Sequence, residues 1–563
     1  MRVVTEVAAL DRAFDYAVPH TMPMPGNGDR VRVDLHGRSV RAWVESSVES
    51  DRDLKFVTKW LGLGPPPELL SLATWAGERW FAPRSRFLLA MSPDRNITVL
   101  PTAPAMSPLT TDVASAMSVA PPGVVRLAPT VDPLSIILTA YAAASAAHRP
   151  LLVLMPTDAW AERVVGRLAQ RGLSVARDHE WDKVRAGWPV VVGSRGAAFA
   201  PLSHLGAAVI IDADDDAFRS EASPTWHARD VVVERCRRDA APWWMTSPVP
   251  SPVLLSCGPE WHDAEEARGW PLIDVADRRH SDPRDGVLSA TTLTLAHTAL
   301  DSDSPVAVAV ILQRLGRGRL FACVRCGDLA RCAECGAPEA EDGDDVVCPH
   351  GHGRRTAFCR SCGATKLRRV QSGVTTLARD VAAQLSCEVT EVTAATPPET
   401  PLHRVVVGTE AILQRVRRCA LVVFVDFDQY LLAPRERARR DAVLAVARAG
   451  RLVGARTDGR GRVVLQTRRG EDVVLSALSR IDFSALLAEE SETAEILSLP
   501  PFGALCEVEG EAAAAFLDTM TTTDVVVSTT DKGFVLHADT PQTIAAALRS
   551  GTRPPGRLRV AMS

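Results

Sequence analysis

Between Cys323 and Cys362 the chain reads Cys323-Val-Arg-Cys326, Cys332-Ala-Glu-Cys335, Cys348-Pro-His350-Gly-His352 and Cys359-Arg-Ser-Cys362. Seven of the twelve cysteines fall in this stretch. A C-x-x-C pair places two thiolates on one tetrahedral ion, and three such pairs in succession point to zinc. The fourth pair is broken, because the position three after Cys348 is Gly351, so that His350 or His352 supplies the missing ligand. The count gives two sites, one of four cysteines and one of three cysteines and a histidine. Disulfides or free buried thiols are the alternative, but C-x-x-C spacing without an export signal favours metal. Four protein ligands leave no position for water, so both ions are expected to be structural rather than catalytic. His352 is favoured over His350, since C-x-x-x-H leaves the chain more room to turn.

The same stretch is basic towards its end. Arg354, Arg355, Arg360, Lys366, Arg368 and Arg369 lie between His352 and Arg369 with no acid among them. A metal-stapled basic projection suits a nucleic-acid or protein contact. A solvated face on a structural ribbon is the plainer reading.

These residues need a large frame. The 563 residues imply three to five domains, and the apolar content of 46% supplies their cores. The net charge of −4 gives no global attraction to nucleic acid, so any such binding must be local. The first residues lack an apolar export core and no long apolar run follows, which implies a cytoplasmic protein without a membrane span. Cys236, Cys257, Cys387, Cys419 and Cys506 are scattered and read as reduced, mostly buried residues.

Residues 1–63 alternate as strands do, punctuated by Gly26, Gly28 and Gly37, and predict a small β-rich domain. Residues 64–91 carry a helical apolar stripe, and a Pro-, Ser- and Thr-rich linker follows to 123. From 124 to 285, and again over 286–319 and 371–472, continuous apolar runs alternate with helical stretches. This pattern predicts two parallel α/β lobes. The cysteine segment, 320–370, interrupts the second lobe. Residues 473–563 predict a small α+β domain.

This order resembles that of the PriA family of primosomal replication-restart proteins. Gly193-Ser-Arg195-Gly-Ala-Ala-Phe199 is similar to the family's G-T-R-S-A-L-F. Asp212-Ala-Asp-Asp215 followed by Trp226-His227-Ala-Arg229-Asp230 resembles D-E-E-H followed by Y-H-A-R-D. Val407-Gly408-Thr409-Glu410 resembles the G-T-Q motif, and Ala447-Arg448-Ala-Gly450-Arg451 resembles motif VI. Leu10 to Pro19 resembles the loop that holds the 3′ end of a nascent strand.

The resemblance implies zinc, two ions per chain. Cys323, Cys326, Cys359 and Cys362 would share one ion, and Cys332, Cys335, Cys348 and His352 the other. It also implies a terminal-nucleotide pocket at Phe14, Asp15 and Tyr16 with Gly37 and Lys55, Asp15 accepting the 3′-hydroxyl. From spacing alone, an anchor for a small core is the better reading of the aromatic pair. The partners implied are forked or branched DNA with a 3′ end, primosome components, the replicative helicase and its loader, and single-strand DNA-binding protein.

Departures from the pattern concern ATP. Where a Gly-rich turn and lysine should cradle phosphates, the chain reads Leu127-Ala-Pro129-Thr-Val-Asp132-Pro133-Leu-Ser135. Two prolines remove amide donors and Asp132 adds negative charge. Ala213 replaces the glutamate that orients water, Thr246-Ser-Pro-Val stands for motif III, and Leu444 replaces a glutamine. The resulting expectation is a DNA-binding primosome-assembly protein with no catalytic residues, as in the actinobacterial branch of the family. The family's winged-helix region is largely missing, its place taken by residues 92–123. An active ATP-dependent 3′-5′ helicase and a purely protein-binding zinc scaffold are the competing readings.

Overall fold

The computed structural model describes residues 1–563 except 9, 110–116, 280, 282–285, 314–320, 327, 329, 337–338, 343–344, 349–350, 370–372, 434–436, 460, 522 and 563. It divides into two compact units. One holds Met1–Leu127, Asp132–Asp263 and Leu487–Ser563, the other Ala128–Val131 and Ala264–Leu486.

The chain opens with strands β1 (Arg2–Thr5), β2 (Ala13–Asp15), β3 (Arg30–Leu35), β4 (Arg38–Ser46) and β5 (Val57–Gly62). They form an antiparallel sheet in the order β2-β1-β4-β3-β5. Val3, Val31, Val33, Ala42 and Val44 bury one face with Tyr16. The β3–β4 hairpin turns through His36 and Gly37, both at positive φ (52° and 80°). That pair is the mark of the two-residue turn whose twist matches the flanking strands. Helices α1 (Glu68–Arg79) and α2 (Arg84–Ala90) cover part of the other face, where Val4 and Trp43 meet Leu69, Leu72 and Phe87.

The first parallel sheet contains β6 (Gly123–Arg126), β7 (Leu151–Leu154), β8 (Val175–Arg177), β9 (Val190–Gly193), β10 (Ala207–Ile210), β11 (Trp243–Ser247) and β12 (Glu260–His262). Their order is β12-β6-β11-β10-β7-β9-β8. Helix α3 (Leu134–Ala146) follows β6. Every residue of β7, β9 and β10 is buried, as expected of strands covered on both faces.

A second parallel sheet contains β13 (Leu272–Asp277), β14 (Val306–Ile311) and, after the cysteine segment, β20 (Val389–Val392), β21 (Val405–Gly408), β22 (Cys419–Phe424) and β23 (Arg462–Thr467). Their order is β13-β23-β22-β14-β21-β20. Between β14 and β20 the cysteine segment forms two small antiparallel sheets. The first pairs β15 (Phe321–Cys323) with β19 (Leu367–Arg369); the second joins β16 (Ala340–Asp342), β17 (Asp345–Val347) and β18 (Arg354–Thr356). The last sheet is antiparallel, of β24 (Ala504–Glu509), β25 (Val526–Thr530), β26 (Gly533–Ala538) and β27 (Arg559–Met562), and lies in the first unit.

Two sequence-based boundaries are corrected. Strand β13 falls inside the range 124–285 assigned to the first lobe, yet it pairs along its length with β23 in the second sheet. Its half-buried alternation, and the ion pair of Asp274 with Arg462 at 2.9 Å, are those of an edge strand rather than of a linker. The helix Val473–Arg480, placed with the C-terminal domain, belongs to the second unit.

Phe218 is fully buried in the core of the first unit. Nearby, Arg235 is 2% exposed and donates to the carbonyls of Ala198, Ala200 and Leu202 at 2.8–3.0 Å. It straps the short helix that follows β9, and burial pulls its guanidinium down to about 10. Arg235→Met is expected to destabilise the first unit by about 3 kcal/mol, because buried carbonyls lose charged donors. Urea unfolding followed by tryptophan fluorescence measures this, and a loss below about 1 kcal/mol would mean that water replaces the strap.

Candidate metal centres and nucleic-acid interface

The cysteine segment gathers two ligand sets, Cys323/Cys326/Cys359/Cys362 and Cys332/Cys335/Cys348/His352, with the donor atoms of each set within 4.8 Å of one another. In the first, Sγ–Sγ separations are 3.5 Å for Cys323–Cys362 and 3.4 Å for Cys326–Cys359. In the second, Cys335 and Cys348 are 3.5 Å apart, and His352 Nδ1 lies 3.6 Å from Cys348 and 3.9 Å from Cys332. A tetrahedron with metal–sulfur bonds near 2.3 Å has edges of about 3.7 Å, so both sets fit one ion each.

Backbone geometry prepares the sulfurs. The N–H groups of Cys326 and Arg325 point at Cys323 and lower its thiol to about 6. The N–H groups of Cys335 and Glu334 do the same for Cys332, in the same direction. These two turns thus each aim two amides at their first sulfur and favour thiolate, the form that binds metal. In the second set the chain turns at Gly351 (φ 79°), and Cys348 N donates to Gly353 O at 3.0 Å. That turn brings His352 alongside Cys348. His350 lies outside the described residues.

The basic run after His352 is less free than its sequence implies. Arg355 pairs with Glu339, itself 3% exposed, and Arg360 lies 3.8 Å from the same carboxylate. Arg354 pairs with Asp345 at 2.8 Å. Both acids precede the run, so only folding shows that they neutralise it. Lys366 is exposed, and the side chains of Arg368 and Arg369 lie outside the described residues.

In the N-terminal sheet, Tyr16, Gly37 and Lys55 converge on one residue that sequence reasoning missed, Asp34. Tyr16 is buried and donates its hydroxyl to Asp34 O at 2.8 Å. Lys55 Nζ lies 2.6 Å from Asp34 Oδ1, and Gly37 N donates to the same atom at 3.3 Å. Lys55, and then the Gly37 amide, hold the Asp34 carboxyl below its ordinary value. A lone acid in a strand gives no sequence signal of this role. Phe14 is half-buried beneath the Arg12 guanidinium, 4.9 Å from its ring centre. Asp15 is opposite Arg2 in the β1–β2 register and is held by two hydrogen bonds from its guanidinium, 3.0 and 3.2 Å. Alternation along β2 puts Asp15 on the face opposite Phe14. Tyr16 therefore serves the core and the Asp34 cluster together, while Asp15 presents a partly exposed carboxylate oriented by Arg2.

At the start of α3, the Leu134 N–H donates to Asp132 Oδ1 at 3.0 Å, and Arg167 forks onto the Asp132 carboxylate. Burial works to raise this carboxyl, but Arg167 and the Leu134 amide outweigh it and hold it below its ordinary value. Residues 128–131 belong to the second unit, where Thr130 N donates to Gly269 O at 3.1 Å and Arg451 Nε to Pro129 O at 3.3 Å. Arg448 pairs with Glu410 at 3.4 Å. The acidic run after β10 is engaged by the backbone: Asp214 accepts from Ser251 N at 3.0 Å and Asp215 from Ala217 N at 2.9 Å. Trp226 stands edge-on to Phe199, with Arg195 6.0 Å from its ring centre.

A family model for the 3′DNA-binding domain of PriA matches residues 2–93. The chain is 28% identical over 426 residues to the probable replication restart protein PriA of Mycobacterium tuberculosis, covering 65% of this chain and 62% of that one. It is 25% identical over 354 residues to the replication restart protein PriA of Haemophilus influenzae, covering 58% and 48%, and 26% identical over 234 residues to that of Bacillus subtilis, covering 38% and 28%. The chain spans about three fifths of the length of the mycobacterial relatives it matches.

Metal analysis of protein purified without chelator is expected to return about two ions per chain, one for each ligand set. His352→Ala is expected to lower this to about one, leaving the four-cysteine set filled. A parent chain carrying one ion or none would contradict the assignment.

Proposed function

We propose, on the premise that the chain belongs to the PriA family of replication restart proteins, that it recognises forked or branched DNA through a strand's 3′ end. It then promotes primosome assembly and loading of the replicative helicase without consuming ATP. The observation that carries this reading is the match of residues 2–93 to a 3′DNA-binding domain, on a sheet where Asp15 is held ready by Arg2.

Two hydrogen bonds from Arg2 leave lone pairs on the Asp15 carboxylate. A terminal 3′-hydroxyl donates to such an acceptor, whereas a 3′-phosphate is repelled by it. Phe14 and Tyr16 flank Asp15 in sequence, and Lys55 and Gly37 meet on Asp34, whose carbonyl accepts from the Tyr16 hydroxyl. Replacing Asp15 by Ala is expected to abolish the preference for forks with a 3′-hydroxyl at the branch while leaving bulk DNA affinity within about twofold. Equilibrium binding to matched hydroxyl- and phosphate-ended forks tests this, and equal losses on both would point to a misfolded domain.

The metal is assigned as zinc. Sulfur-rich tetrahedral sets with no ligand position left for water suit a redox-inert structural ion. The sites shape the segment that interrupts the second lobe, a surface suited to primosome proteins, the helicase and its loader, and single-strand DNA-binding protein.

ATP is excluded by occupation of its place. A phosphate cradle needs free amides at a helix start and a cation aimed at the ligand. At α3 the protein's own carboxylate, Asp132, takes the first amide and the nearby cation, Arg167. An incoming phosphate meets a like charge there, and Ala213 offers no group to orient water. Phosphate release with purified protein is expected to stay at background with and without forked DNA. Turnover near ~1 per second that vanishes in Asp212→Ala would restore the helicase reading.

A further inference from the structure

The N-terminal sheet carries a row of three cations, of which only one has an ion-pair partner among the described residues. Arg32 lies directly opposite Arg41 across the β3–β4 pair and opposite Lys59 across the β3–β5 pair. The three side chains thus stand side by side on neighbouring strands. Like charges directly opposite in a sheet are destabilising. Arg41 is relieved by Glu6 at 2.7 Å. Arg32 and Lys59 make no ion pair among the described residues.

The row lies on the face that carries Trp43 and Arg30, since Arg30 is opposite Trp43 and alternation returns Arg32 and Arg41 to the same side. One end of this face is closed. Trp43 packs under α1 and α2, and Arg30 is buried with its guanidinium on the carbonyls of Pro93 and Arg95 at 2.8 and 2.6 Å. One step further along the strands the cover ends, and Arg41 and Lys59 are exposed with Arg32 half-buried between them. The same face carries Arg2 and Asp15: Val4 is opposite Trp43, and Arg2 returns to Val4's side.

We propose that Lys59, Arg32 and Arg41 form a phosphate track that holds the backbone of the DNA leading away from the bound 3′ end. Two strand spacings make the row about 10 Å long. Phosphates of one strand advance about 3.4 Å along the duplex axis, so the row faces two or three of them. Positively charged groups kept together against their own repulsion, beside a site for a strand terminus, require a polyanion as their partner. An end site alone gives little affinity; a phosphate track adds it without sequence preference. The track rests on the reading of this domain as a DNA-end binder but is tested separately from it.

The test uses full-length, metal-loaded protein carrying Arg32→Gln and Lys59→Gln, titrated with duplex DNA ending in a 3′-hydroxyl or a 3′-phosphate. Two lost phosphate contacts should reduce the slope of log affinity against log salt by about 1.8. The tightening of duplex binding between 200 and 50 mM salt then shrinks by about tenfold. The hydroxyl-over-phosphate preference should persist, and Lys532→Gln, an exposed cation of the C-terminal sheet, should leave the slope unchanged. Removing the repulsion should also leave the melting temperature at or above the parent's. An unchanged slope in the double variant overturns the track. If the variant melts lower, the charge-keeping pair Arg32→Lys/Lys59→Arg decides: the parental slope supports the track, and a lost slope overturns it. A parent chain with no end preference would sink the end-binding reading and leave the track to stand or fall on the slope.

Discussion

Both large sheets are parallel, and a parallel sheet has to be buried on both faces. Strands β7, β9, β10, β14 and β21 meet that demand with Val, Leu, Ile and Ala at full burial. Each large aliphatic side chain so placed contributes about 1.5–3 kcal/mol. None of that stabilisation passes through the loops at the strand ends. The loop between β6 and α3 can therefore carry exposed Asp132 and half-buried Pro133 outside the packing of the strands themselves. Asp132 is stable there because the helix start and Arg167 accept a carboxylate as readily as they would a phosphate. Scaffold and chemistry are separable in such sheets, and a helicase-like frame can persist while the loops at its strand ends change.

The cysteine segment obeys the opposite rule. Its strands are three residues long and few of its described side chains are buried and apolar. So little core cannot offset the entropy of ordering the chain. What it has instead is two sets of convergent donors, with backbone amides aimed at Cys323 and Cys332. The Glu339–Arg355 pair belongs to this economy: the carboxylate is nearly inaccessible, and it is tolerable because Arg355 and Arg360 both face it.

The parts legible in the sequence are those whose signal is local. C-x-x-C spacing survives folding unchanged, and all eight predicted ligands fall into the two clusters found. The continuous apolar runs became parallel strands because two-sided burial leaves no polar alternation to misread. Strand β13 reads as part of the first lobe in sequence because Leu272–Asp277 is a half-buried edge whose partner, β23, lies far along the chain. Asp34, Glu339 and Asp345 were invisible for the same reason. An isolated acid has no periodicity, and its role appears only when the fold sets Lys55, Arg355 or Arg354 beside it. Phe218 shows the limit for aromatics, since spacing alone does not separate a core residue from a stacking platform.

Charge follows the same division, and here the sequence misleads most. The densest basic run, Arg354 to Arg369, is where a nucleic-acid surface would be sought first. Three of its arginines are engaged by acids within the insertion. Arg32, Arg41 and Lys59 are spread over nearly thirty positions among acids, in a chain of net charge −4, and no composition window isolates them. Antiparallel register alone makes them neighbours. A paired cation stabilises a fold, whereas cations left opposite one another cost it stability. The sheet retains that cost on the face shared with Asp15. A phosphate-binding surface is therefore better sought where register leaves cations such as Arg32 and Lys59 without an ion pair among the described residues than where basic residues are dense along the chain.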